Sequence, residues 1–271
     1  MASSEPEVHA YPLKRNILAS TRLNFNHFWL KSMTGYLVHP KINTAKEGFR
    51  LADLGTGTGI WASEVAAALP NARIDAVDIS AEQFPPEAFK PQNLHYWVHD
   101  CFKAFPAEHS GQFDAVHMRY WLCIVNDDVA EKLIENVVTL LKPGGYLQWF
   151  EFLPYTAHVR GNAEGIPTPG CDKLVELYKK PSAQSTYNWV QSRPQLFEKY
   201  GMSLVVEDRI ENQSHYMQVA TQSTFLGQAE YYKMHPEMEK LSEQVAEEYR
   251  NGVVVDIVFS CVVVRKSTEA H

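Results

Sequence analysis

The 271-residue chain is poor in cysteine, with four, and no two of them stand in a two-residue-spaced pair. Cys101, Cys123, Cys171 and Cys261 therefore spell neither a zinc ribbon nor a redox dithiol, and they are too sparse for a disulfide scaffold. A reducing, cytoplasmic compartment is the expectation. Basic residues are in deficit: 25 Lys and Arg stand against 32 Asp and Glu, a net charge of −7. No block of Lys or Arg offsets this, so the chain lacks the bulk charge that holds a phosphate backbone, and nucleic acid is not an expected partner. Long apolar runs are missing as well. The longest, Val253 to Val264, is interrupted by Asp256 and is far shorter than the roughly 20 residues of a membrane span, so no membrane partner is expected. The opening MASSEPEVHAYPLKR has Glu5 and Glu7 and no apolar stretch of the secretory-signal kind. Internal repeats are absent, and no metal site is expected.

What is present is an ordinary globular composition, 45% hydrophobic and 21% charged, with length enough to bury a core. Ala2 to Leu13 is polar and loose in character. From Arg22 to Val38, Phe25, Phe28, Trp29, Met33, Tyr36 and Leu37 recur at three- and four-residue spacing, which predicts an amphipathic helix stopped by Pro40. The middle alternates short buried runs with helical patterns. Phe49 to Leu54, Ala72 to Ile79, Leu94 to Val98, Phe113 to Val116 and Tyr146 to Phe152 read as strands. Ile60 to Leu69 and Asp127 to Leu141 read as helices, the second with Leu133, Ile134, Val137, Val138 and Leu141 on one stripe. This predicts an α/β fold, a mostly parallel sheet with helices on both faces. Further on, Gly161 to Gly170 is a loop. Cys171 to Lys180, Arg193 to Tyr200 and Pro236 to Arg250 look helical, and Met202 to Ile210 and Val254 to Val264 look like strands.

The densest signal is Leu51-Ala-Asp-Leu-Gly-Thr-Gly-Thr-Gly-Ile60, a strand running through Gly55, Thr56, Gly57 and Gly59 into a helix. Glycines there admit positive φ and let a ligand approach the backbone, and free N–H groups at the helix start favour electron-rich groups. The spacing is G-x-G-x-G rather than the G-x-G-x-x-G of a dinucleotide site, and Gly-Lys-Ser/Thr is absent. Asp53, two residues before the first glycine, repels a pyrophosphate and suits an ammonium. Asp78 ends the next strand, where a carboxylate can accept from both hydroxyls of a ribose. A ribose, an amine and no diphosphate together describe S-adenosylmethionine.

The segments DLGTGTGIWA, AVDIS, VHDCF, FDAVHMR and LLKPGGYLQWFE resemble, in order and spacing, the class I S-adenosylmethionine-dependent methyltransferases. RLNFNHFWLKSMTGYLVHPKI is similar to the N-terminal helix of fungal secondary-metabolite (UMTA-like) methyltransferases, a group that includes the LaeA-type regulators. The resemblance implies a Rossmann-like seven-stranded sheet in the order 3-2-1-4-5-7-6, its last strand antiparallel. It implies one domain over 1–271: an N-terminal helical lid (1–45), a cofactor-binding core (46–153) and a substrate side (154–271), with Glu211 to Gly252 helping to roof the site. It implies that Gly55, Gly57 and Gly59 lie under the methionine moiety and that Asp53 holds its amino group, directly or through water. Asp78 would take the ribose, with Ile79 on the adenine and Asp100 and the Cys101 N–H at the adenine edge. His117 would face the methionine end.

Each of these residues also has a plainer reading: Asp100 as a turn cap, Cys101 as packing, His117 as a hydrogen-bonded filler. Phe25, Phe28, Trp29, Tyr120 and Trp121 suit either a pocket for a flat apolar acceptor or the core. Displacement at a sulfonium expels a neutral thioether, so no leaving-group acid is required, and no catalytic residue is singled out. The expected activity is methyl transfer to a small-molecule acceptor in fungal secondary metabolism. The alternatives are a LaeA-like regulator acting through protein partners and a nicotinamide oxidoreductase. The acceptor atom and the oligomeric state are not legible in the sequence.

Overall fold

A computed structural model describes residues 14–161, 165–179, 187–232 and 238–268. The expectation for Ala2 to Leu13 falls outside them. The first strands are β1 (Arg50–Leu54), β2 (Arg73–Asp78), β3 (Leu94–Val98), β4 (Phe113–Arg119) and β5 (Leu141–Phe152). They lie side by side in the order β3-β2-β1-β4-β5, all parallel. The sheet is completed by β9 (Phe259–Lys266), antiparallel to β5, and by the edge strand β7 (Met202–Ile210), antiparallel to β9. Counting the strands of this sheet alone, the order is the 3-2-1-4-5-7-6 that the resemblance implies. A second, two-stranded sheet of β6 (His158–Gly161) and β8 (Val253–Asp256) has no counterpart in the sequence reading.

The central strands are buried on both faces, which is why they read as nearly unbroken apolar runs. Along β4, Val116 and Met118 pack towards α3 (Asp127–Leu140), whose Leu133, Ile134 and Val137 are fully buried. On the other face Ala115, with Leu51 of β1 and Ile74 of β2, meets Trp61 and Val65 of α2 (Ile60–Ala68) and Trp29 and Leu30 of α1 (Ile17–Thr34). Asn126 caps α3, its side chain accepting from the Asp128 N–H at 3.1 Å. The short helices α5 (Asn188–Gln191) and α6 (Arg193–Glu198) bring Trp189 and Phe197 onto Trp149 of β5.

Several boundaries differ from the sequence reading, each for a local reason. Helix α1 begins five residues before Arg22, where the Asn16 side chain accepts from the Ala19 N–H at 3.0 Å. It ends at Gly35, whose φ of 74° closes the last turn onto the Lys31 carbonyl, so the stop is this glycine and not Pro40. Helix α4 (Pro169–Lys179) is capped from a distance: the Glu248 carboxylate accepts from the Gly170 and Cys171 N–H groups, both at 2.7 Å. Helix α7 (Met217–Tyr232) was not read at all, and α8 (Glu239–Arg250) starts later than Pro236, a residue outside those described.

The strand expected over Val254 to Val264 is two strands in two sheets. The break is Asp256, 5% exposed, whose carboxylate accepts from Arg160 Nη1 at 2.7 Å, Asn212 Nδ2 at 2.8 Å and the Ile257 N–H at 2.8 Å. A buried carboxylate that gathers three donors bends the chain where an apolar residue would have let it run on. Asp256→Ala leaves Arg160 and Asn212 without their acceptor and is expected to cost about 2–4 kcal/mol, read as a lowered urea midpoint.

Candidate functional site

At the carboxyl edge of the sheet lies a cavity of about 750 Å³, between the β1–α2 loop, the ends of β2 and β4, and the helices α1, α4 and α7. The sheet supplies its floor because the parallel strands all end on this side. Gly55, Thr56, Gly57, Asp78, Ile79, Asp100, Cys101, Trp29, Tyr120 and Trp121 are on its wall. Asp53, Gly59, His117, Phe25 and Phe28 are not among the wall residues.

The glycine loop is held in the left-handed region at three points, φ being 68° at Gly55, 57° at Gly57 and 71° at Gly59. Space is short there too. A Cβ at Gly55 would lie 2.9 Å from the Trp121 ring, one at Gly57 3.1 Å from Leu23 of α1, and one at Gly59 2.1 Å from the Tyr96 hydroxyl. Gly59 therefore serves the packing of Tyr96 beneath the loop, whereas Gly55 and Gly57 let Trp121 and α1 close over it.

Asp53 is 3% exposed and turned inward. Its carboxylate accepts from Thr56 Oγ1 at 2.5 Å and from His117 Nδ1 at 2.7 Å. The His117 ring stacks on Trp61 at 3.6 Å; burial holds its pKa down, while the Asp53 carboxylate opposes the fall. The two residues brace the loop from inside the sheet. Asp78 faces the cavity. It accepts from the Gly57 N–H at 2.9 Å and the Ser80 N–H at 3.2 Å, one on each oxygen. Each carboxylate oxygen offers more than one acceptor direction, so lone pairs remain for a diol. Burial raises its pKa, and those N–H donors oppose the rise.

Next to it Ile79 is 41% exposed, an apolar plate on the cavity wall with nothing packed over it. Asp100 accepts from the Phe102 N–H at 3.0 Å, the expected turn, and also reaches the wall. The buried Cys101 thiol on the wall is not a nucleophile, because burial pushes its pKa well up.

Trp121 donates its indole N–H to the Leu54 carbonyl at 3.3 Å and its backbone N–H to Glu151 Oε1 at 2.5 Å. Tyr120, just before it, has φ 61°, the one non-glycine positive φ among the described residues. Its hydroxyl is buried without a partner, as is Oδ1 of Asn212 on the wall. The Asn212 amide is oriented by its neighbours: Nδ2 meets the Asp256 carboxylate and the Ile257 carbonyl, both acceptors, so Oδ1 is the atom left over. Phe25 and Phe28 stand elsewhere on α1, Phe28 half exposed. His95 and His99 are four residues apart, but on and just past a strand rather than on a helix, and among the described residues no three His, Cys, Asp or Glu side chains form a group that could hold a metal.

Wall residues that the sequence reading missed include Arg119, Asn26 and Ser223. The signal for Arg119 was the β period, which carries β4 three residues past Val116. Asn26 and Ser223 tie the roof together, Ser223 of α7 donating to Asn26 of α1 at 2.6 Å. Thr58 of the loop donates to Asn24 of α1 at 2.7 Å, which fastens the same helix to the floor.

The family described as a methyltransferase domain matches residues 51–145. Methyltransferase grgD of a Penicillium species is 35% identical over 160 residues, 56% of this chain and 55% of that protein. N-methyltransferase verN of Clonostachys rogersoniana is 30% identical over 142 residues, 52% and 50% of the two chains. The matched region thus spans about half the length of these curated relatives. The solved [4+2]-cyclase SpnF superposes with a TM-score of 0.54 at 16% identity, covering 98% of this chain and all of that one. A methyltransferase structure from Methanosarcina mazei gives 0.50 at 15% identity, over 86% and 99%. At such identities these two likenesses speak to the fold.

Glu151 supplies a pH test of this architecture. It is fully buried, Oε2 has no partner, and burial raises its pKa from 4.5 to about 7. The folded state keeps this proton to about pH 7 while the unfolded chain releases it near 4.5. The resulting stabilisation is complete below 4.5 and is lost as pH rises through 7. Glu151→Gln keeps Oε1 and puts a neutral amide at Oε2. Relative to the parent it is expected to gain about 2–3 kcal/mol on going from about pH 5 to about pH 8, measured by urea unfolding at both.

Proposed function

We propose that this chain, whose residues 51–145 match a methyltransferase-domain family, is a class I enzyme that transfers the methyl group of S-adenosylmethionine to a small-molecule acceptor in secondary metabolism. The observation that carries this reading is the convergence of the glycine loop, Asp78, Ile79 and Asp100 on one cavity large enough for a donor and an acceptor side by side. The residues present fit the cofactor. Asp78 has acceptor capacity for the ribose hydroxyls, Ile79 has an uncovered apolar face that would take the adenine, and Asp100 with Cys101 would meet the adenine edge. The backbone of Gly55 to Gly57 would lie beneath the amino-acid end. Asp53 and His117 act on that end through the loop, by holding Thr56, and not by contact.

When bound, the cofactor supplies an activated methyl group whose leaving group is a neutral thioether. The protein's task is then to align and to dry the site. Helices α1 and α7 roof the cavity and exclude water. Trp121, wedged against Gly55 and fixed by Glu151 and the Leu54 carbonyl, shapes the passage between donor and acceptor. The far side of the cavity is apolar, with Phe152, Leu174, Tyr178, Val255 and Ile257 on its wall. Alignment of this kind is worth on the order of 7–11 kcal/mol of barrier. An uncharged apolar acceptor suits that wall. The names of the relatives, two of which are methyltransferases of fungal origin, support the same assignment, and the free cysteines support an intracellular, cytoplasmic setting.

Calorimetry with S-adenosylhomocysteine and with NAD tests the reading. Binding of the first and not the second is expected. Asp78→Ala is expected to weaken S-adenosylhomocysteine by about 10- to 100-fold while leaving the urea midpoint nearly unchanged, because the carboxylate stands at a strand end and supports no core packing. Affinity for NAD alone would overturn the assignment.

A further inference from the structure

Arg119 ends β4, and one further step along the β1–β4 register from Leu54↔Met118 sets it beside Gly55, at the loop end of the cavity wall. Among the described residues its guanidinium has one hydrogen bond, Nη1 to Nδ1 of His27 at 2.9 Å, and no ion pair. His27 is fully buried in α1, and burial together with Arg119 itself holds its pKa down to about 4. A neutral imidazole carries one proton. Here Nε2–H donates to Glu64 Oε2 at 2.6 Å, which leaves the Nδ1 lone pair for Arg119. The Glu64 charge is shared with Lys31, whose Nζ meets Oε1 at 2.6 Å. The relay Lys31–Glu64–His27 thus orients the guanidinium, which feels the charges of Asp53 and Glu64 but has no carboxylate in hydrogen-bond contact among the described residues.

A positive charge with no carboxylate in contact is unfavourable in a site for a sulfonium that also carries an ammonium, unless the ligand brings a negative charge to it. Arg15 and Arg22 reach the wall too, Arg15 near enough to Asp78 for its charge to act on that carboxylate. Asp53, the group expected to hold the amino group, is 3% exposed and lies off the cavity wall, so contact with the amino-acid end falls to groups on the wall. We infer that Arg119 seats the α-carboxylate at the amino-acid end of the methyl donor, with His27 and Glu64 as positioning residues that aim it. The planar fork of a guanidinium suits a carboxylate at two oxygens at once. This assignment rests on the cofactor reading above and adds to it the group that recognises the amino-acid end.

Two probes separate the inference from that reading: S-adenosylhomocysteine, and 5′-methylthioadenosine, which shares the nucleoside and thioether and lacks the amino acid. Calorimetry on the parent chain is expected to show a clear preference for S-adenosylhomocysteine. Arg119→Met is expected to lose about 10- to 100-fold of its affinity for S-adenosylhomocysteine, with 5′-methylthioadenosine unchanged. Arg119→Lys should recover part of the loss. His27→Phe should lower the same preference by a smaller factor, an effect on discrimination that a general loosening of α1 would not give. An Arg119→Met protein that keeps the parental preference overturns the arginine assignment and leaves the cofactor reading standing. A parent chain that binds neither probe overturns the cofactor reading, and this inference with it.

Discussion

Asp53 shapes the carboxyl edge of the sheet. A carboxylate buried at the end of a central strand needs donors, and it finds them in Thr56, three residues along the chain, and His117, across the β1–β4 ladder. The first contact folds the loop back on its own strand. The second locks β4 in register and presses the imidazole onto Trp61 of α2. The loop can tighten this far because its glycines take positive φ, and its Gly57 N–H then points at Asp78 on the neighbouring strand. One buried charge thereby sets the separation of the β1 and β2 ends, and with it the mouth of the cavity. Leu23 and Asn24 seat α1 on the loop so formed, so the roof takes its position from the floor.

The cavity is chemically graded. Its carboxylates, Asp78 and Asp100, stand at the ends of β2 and β3, and Arg119 stands at the end of β4. The wall contributed by α4, β8 and Phe152 is apolar. A zwitterionic ligand with a nucleoside at one end and an amino acid at the other matches that order, and an uncharged apolar partner matches the remainder. Burial strengthens each of these polar contacts relative to water, since few dipoles remain to screen them.

Those parts of the site that depend on local spacing were legible. The glycine cluster after an apolar run, the carboxylate at the end of the next strand and the stripe of α3 all announce themselves within a dozen residues. What escaped was tertiary. Whether Asp53 faces a ligand or a histidine depends on the β1–β4 register, and no window of sequence contains both. The α7 helix hid because Ser223, Thr224 and Gly227 face the cavity, so it has no apolar stripe to betray it. The unbroken look of Val254 to Val264 concealed a change of sheet, because one aspartate among valines reads as a blemish until Arg160 and Asn212 are seen to meet it. Gly35 was passed over for Pro40, although a glycine closing a helical turn is the stronger stop.

The two halves of the cavity also come from different parts of the chain. The loop, Asp78, Asp100, Arg119 and Trp121 all fall within residues 51–145, the stretch that matches the methyltransferase-domain family. The apolar wall and Asn212 fall beyond it, on Phe152, α4, the turn after β7, and β8. The family match therefore bears on the half with the glycine loop and the carboxylates and says nothing of the apolar half. The physical basis is that the donor half is built from strand ends whose geometry the sheet dictates, and any change there disturbs the core beneath. The acceptor half rests on a small second sheet and on helices held by a few polar contacts: Glu248 on the start of α4, and Asp256 with Arg160 and Asn212. Those contacts fix the frame without engaging its apolar lining, so the shape of that half of the cavity is set apart from the loop and the carboxylates.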